Sequence, residues 1–206
     1  MGRESKALFT CGAVLLGFFL GLVTVPSEAW ILPLSPGSKQ LFLQVGVGTA
    51  SANNPAVNVV SVSVPAGAIG DGTPLVMTSD STQAASPYDG YAVCNPPSQV
   101  YVGGSYRQPN NSASGAAAAT LQVSTPSALT NGSDTIPFSQ ISWTSTANGN
   151  ATADIPAGTF NGGTVALTTI GRNFFVENCF IYSYLNQNAA AAGTFSGRAV
   201  FTLAVP

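Results

Sequence analysis

The residues of this 206-residue chain that could do chemistry are few and far apart. It has no histidine, which removes Ser-His-Asp and Cys-His nucleophilic catalysis. Its serines lack a Gly-x-Ser-x-Gly elbow. Six carboxylates, Asp71, Asp80, Asp89, Asp134, Asp154 and Glu177, remain once the N-terminal leader described below is set aside. Two facing carboxylates could run a glycosidase. Most of these aspartates neighbour Gly, Ser or Thr, where an Asp side chain usually caps its own turn. Glu177 instead lies within an aromatic run and reads as half of a structural ion pair with Arg172 or Arg198, not as a catalytic acid. The Gly-rich stretches at 102–105 and 161–164 lack the strand–loop–helix setting of a phosphate cradle and are expected to be turns. Tyr88, Tyr91, Tyr101 and Tyr106 could form a stacking platform for a sugar, or simply pack. Three Asn-x-Ser/Thr triplets, at Asn110, Asn131 and Asn150, fit the glycosylation pattern. The residues therefore predict a non-enzyme with no catalytic, cofactor-binding or metal-ligating set.

Cysteine usage points out of the cytoplasm. Residues 1–29 read as a signal peptide: Arg3 and Lys6 precede an apolar run over 7–25, Pro26 ends it, and Ser27 and Ala29 are small residues at a cleavage site. A retained anchor is the alternative, since such a run could just span a bilayer. Beyond the leader stay Cys94 and Cys179, an even pair for which a disulfide is the expectation in an oxidising compartment. In the chain-entropy model a bridge over so long a loop stabilises by about 4–5 kcal/mol. Without histidine or a third cysteine there, zinc is not expected. Four basic and six acidic residues are spread over 30–206. That leaves no basic cluster for nucleic acid or an anionic membrane surface, and no membrane insertion once the leader is gone. Secretion to the periplasm, the exterior or the cell surface follows.

The positioning elements must be strands. Short β-branched runs alternate with Gly/Ser/Asn/Pro clusters, the pattern of an antiparallel sandwich or barrel. Strands are expected at 41–47, 58–64, 75–78, 91–94, 99–102, around Leu121 and Val123, around Val165 and Leu167, and over 174–185. The run 174–185 is apolar on both faces and so should be central. A parity change between Ile136/Phe138 and Ile141/Trp143 predicts a bulge within one strand. Residues 195–205 alternate cleanly to the end. The repeated Gly-Thr-Phe-x-Gly at 158–162 and 193–197 marks two similar strand entries.

Domain organisation follows: leader 1–29, an N-terminal arm or first strand over 30–48, and a sandwich domain over 49–206. Residues 30–37 are apolar and broken by Pro33 and Pro36, unsuited to a central strand. The next segment places Leu41, Leu43, Val45 and Val47 on one face. Such an arm could be the first strand of its own sandwich, or could add to a neighbour's open sheet edge.

With its leader, alternating N-terminal strand, single disulfide and alternating last strand, the chain resembles bacterial chaperone–usher pilins and the related spore-coat-U-like secreted proteins. Gly193, fourteenth from the C-terminus, matches the glycine that opens the last strand of many pilins. Val205 and Pro206 stand near where pilins often carry a tyrosine, and the cysteines join the middle of the chain to a late strand. The resemblance implies an immunoglobulin-like sandwich lacking its last strand. A periplasmic chaperone would complete it first, then the arm of the next subunit. Leu41, Leu43, Val45 and Val47 would be donor residues, and Phe195, Ala199, Phe201 and Leu203 would flank the acceptor groove. The expected function is a fibre or coat subunit in cell adhesion. The alternative is a self-contained secreted binding module, for example for glycans.

Overall fold

A computed structural model describes residues 32–49, 58–109, 117–147 and 152–205. The predicted leader, Trp30, Ile31, Asn110 and Asn150 lie outside the described residues. The described chain is all-β with antiparallel pairing throughout. Its helical content is two short 3-10 turns, Ala66–Ala68 and Phe138–Gln140. No helix among the described residues is long and apolar enough to cross a membrane.

The fold is built around Phe174–Tyr184, most of whose 11 residues are buried, as a strand apolar on both faces requires. In the large sheet the order runs Gly158–Thr159, Ile141–Ser145, Phe174–Tyr184, Val100–Arg107, Gln40–Val45, Gly48–Thr49. Leu32–Pro33 and Leu75–Val76 pair with opposite ends of Phe174–Tyr184. A second sheet places Ala119–Ser124 between Thr164–Ile170 and Val200–Ala204. Two small hairpin-like pairs, Ala128–Asn131 with Asp134–Pro137 and Val60–Ser61 with Thr78–Ser79, complete the strands.

Both sheets feed one core. Leu43, Val102, Tyr106, Val176, Phe180 and Tyr182 come from the large sheet, and Ala119, Leu121, Val123, Leu167 and Ile170 from the smaller one. Val60, Val62 and Val64 pack against it as the alternation over 58–64 predicts. Burying each Val, Leu or Phe stabilises by about 1.5–3 kcal/mol. The core's aromatic end has Trp143 stacked on Phe180 at 5.6 Å and Phe138 edge-on to Phe160 at 5.2 Å. Trp143 Nε1 donates to Pro156 O at 3.0 Å, so the buried indole keeps its hydrogen bond.

Several expectations are corrected. The stretch 102–105 is no turn but the middle of the buried strand Val100–Arg107. A Cβ on Gly103 would lie 2.3 Å from Tyr101 Oη, and one on Gly104 would lie 3.1 Å from Phe42 O and 3.4 Å from Leu203 Cδ2. Glycine stands there because neighbours approach the backbone closely. Ile136 and Trp143 do not share a bulged strand: Asp134–Pro137 ends at the turn Phe138–Gln140, which delivers Ile141–Ser145 to the large sheet. Residues 91–94 form no strand; Ala92 makes an isolated bridge with Ala85. The last run is divided, Ser196 bridging Thr130 before Val200–Ala204 pairs with Ala119–Ser124. Gly193 therefore precedes that bridge and does not open the last strand itself.

Candidate functional site

The arm occupies an edge of the large sheet. Gln40–Val45 pairs in six register positions with Val100–Arg107, from Gln40 against Arg107 to Val45 against Val102. Before it, Leu32–Pro33 pairs with Phe174–Phe175, and Leu34 N donates to Asn173 O at 2.8 Å. Phe174 and Phe175 also pair with Tyr106 and Ser105, so the arm first lies along the far edge of Phe174–Tyr184 and then crosses to the free edge of Val100–Arg107. Pro33 sits at a sheet edge, where its missing N–H costs no ladder bond.

The predicted donor residues divide. Leu43 is 8% exposed and in the core, and Val45 packs against that core. Leu41 lies at the rim, 37% exposed. Val47 falls outside the strand, because Gly46 turns the chain with φ +53°. That turn is clamped by Asn58, whose Nδ2 donates to Val45 O at 2.8 Å and whose Oδ1 accepts from Val47 N at 3.2 Å. A Cβ on Gly46 would stand 2.1 Å from Asn58 Oδ1. All four acceptor candidates, Phe195, Ala199, Phe201 and Leu203, are half-buried against the same core as Leu43 and Val45. Val200–Ala204 makes close backbone approaches to the arm strand. The structure thus places Leu43, Val45 and the four acceptor candidates in or against one core, with Gln40–Val45 of the same chain close to Val200–Ala204.

The opposite face of the large sheet carries the second arrangement. Cys94 and Cys179 form the predicted disulfide, with Cα atoms 5.6 Å apart across a sequence separation of 85. The bridge fastens the segment around 81–97 over Tyr101 and Glu177. Tyr101 Oη donates to Glu177 Oε2 at 2.7 Å, and the Ser86 hydroxyl also bonds the carboxylate. Burial pushes the Glu177 carboxyl above its usual range. The Tyr101 and Ser86 bonds pull it partly back, and the charge of Asp89 adds to the rise. Burial, with Glu177 beside it, likewise holds the Tyr101 phenol far above its ordinary value.

Asp71 and Asp89 act as the turn reading expects, accepting from Thr73 N at 2.7 Å and Tyr91 N at 2.9 Å. Asp80 instead accepts from the distant Val59 N at 2.8 Å. The four-tyrosine platform does not form. Tyr101 and Tyr106 are fully buried and, five positions apart on one strand, face opposite sides. Tyr88 and Tyr91 are 49% and 66% exposed. Asn131 is half-buried in its hairpin, its side chain against Gly193. Among the described residues no group of three or more His, Cys, Asp or Glu is placed to hold a metal ion. The polar contacts of Glu177 were not legible in sequence, although a lone acid inside an aromatic run signals a buried carboxylate. No family model, curated protein or solved structure matches the chain.

Proposed function

We propose that the chain is a secreted structural subunit of a surface fibre or coat, with an immunoglobulin-like sandwich completed by strand exchange. The observation that carries this reading is the position of Gln40–Val45. It is an N-terminal strand near the sheet edge, paired along its length with Val100–Arg107 and only at Gln44 and Val45 with Gly48–Thr49, with Leu43 in the same core that Phe201 and Leu203 pack against. A neighbour's arm in the same seat would reproduce each of these contacts, the condition under which swapping costs little. The disulfide suits an oxidising compartment outside the cytoplasm, and the thin charge suits close packing of copies. A periplasmic chaperone would hold the seat before assembly.

The test is the chain without residues 30–48. It should lose the ladder of polymers on a non-reducing, unheated gel, and a peptide of residues 38–48 should bind it and restore its thermal transition. Polymers of unchanged length would refute the reading.

A second reading has its own support, since the arm is seated in the same chain's sheet. A self-contained binding module would refold from dilute solution as a monomer and stay one on size-exclusion chromatography at high concentration. A subunit that exchanges strands would convert to oligomers.

A further inference from the structure

Where the arm crosses the sheet, Leu34, Ser35 and Gln40 from the arm and Tyr88, Ser105 and Arg107 from the body surround an open hollow of about 300 Å³. That is the lower end of the range of small-ligand sites, roughly 300–1,000 Å³. Its parts are held in place. Tyr88 lies stacked on Phe175 at 5.4 Å, which fixes the ring while leaving it about half exposed. Phe175 is braced in turn by Phe42 at 6.3 Å. Arg107 Nε donates to Ser35 O at 2.8 Å, and the guanidinium lies so close over Gly37 that a Cβ there would stand 2.6 Å from Nε. The two terminal nitrogens of that guanidinium make no hydrogen bond to the described residues. Gln40, an exposed residue, lines the same hollow.

A backed aromatic ring offers a flat apolar face to the C–H side of a sugar, and a fixed guanidinium offers two parallel donors to a carboxylate. We propose that this hollow binds an acidic glycan, a sugar ring bearing a carboxylate, with the ring on Tyr88, the carboxylate on Arg107 and a hydroxyl on Gln40. The site needs a seated arm but not a particular donor of it. It would therefore form in a closed monomer and at each junction of a fibre, and its failure is separable from failure of strand exchange.

Titration calorimetry on the oxidised chain 30–206 tests it, with a trimer of galacturonic acid as probe and the neutral galactose trimer and a glutamate tripeptide as comparisons. The uronate trimer should bind, and both comparisons should bind roughly tenfold more weakly or less. Tyr88→Ala and Arg107→Gln should each weaken uronate binding by roughly tenfold or more at an unchanged amide spectrum. If Arg107→Gln unseats the arm, Tyr88→Ala and Gln40→Ala decide the matter. Absence of uronate binding, equal binding of either comparison, or indifference to Tyr88→Ala would overturn the proposal.

Discussion

At the scale of single residues, the two buried tyrosines of Val100–Arg107 separate what is bonded from what is merely packed. Tyr101 Oη donates to Glu177, whereas Tyr106 Oη is buried without a hydrogen-bond partner among the described residues. Tyr101→Phe should therefore destabilise by about 1.5–3 kcal/mol, the range for a bond to a charged group, and Tyr106→Phe should be near neutral or slightly stabilising. Urea unfolding of both variants checks the contrast. Glu177 gives a pH dependence with a definite sign. Its carboxyl holds a proton more tightly in the folded chain than in the unfolded one. Its contribution is thus complete below the unfolded value near 4.5 and is lost as pH rises through the folded value. The urea midpoint of the natural chain should fall relative to that of Glu177→Gln as pH increases across this window. A rise would contradict the assignment. Gly103→Ala should cost about 1–3 kcal/mol, because the added methyl meets the Tyr101 phenol.

At the scale of elements, the arm strand predicts its own asymmetry. Leu43→Ala should destabilise by about 2–4 kcal/mol, while Leu41→Ala, at a half-open rim, should cost well under that in the same unfolding assay. Gly46→Ala should lower the thermal transition, since it strains the positive φ and strikes the Asn58 clamp. Much of the strand set was readable from sequence. Phe174–Tyr184 announced itself by being apolar on both faces, and Gln40–Val45 by alternation. What was not readable came from contacts distant in the chain. Gly103 and Gly104 look like turn residues until Tyr101, Phe42 and Leu203 are seen against their backbone. The parity change before Trp143 looks the same whether it is a bulge or a corner between sheets. The register that places Leu43 inward and leaves Val47 outside depends on Gly46 and on Asn58, twelve positions further on. Local pattern identified the elements, and tertiary approach decided their limits.

At the scale of the whole molecule, one disulfide and one arm close a sandwich-like body that carries little charge. Replacing Cys94 and Cys179 by Ala frees a loop of 85 residues and should cost about 4–5 kcal/mol by the chain-entropy estimate. It should leave the core on the far side of the large sheet intact by near-ultraviolet circular dichroism. The arm is the more consequential closure, because under the proposed strand exchange a neighbour's arm would fill the place that Gln40–Val45 takes here. The most direct measurement uses two differently tagged chains, one carrying Phe42→Cys and the other Ser105→Cys, a pair that face each other in register. Strand exchange predicts that mild oxidation of the mixture yields a disulfide joining the two tags. A bridge that forms within a Phe42→Cys/Ser105→Cys double variant but never between the tagged chains would contradict it.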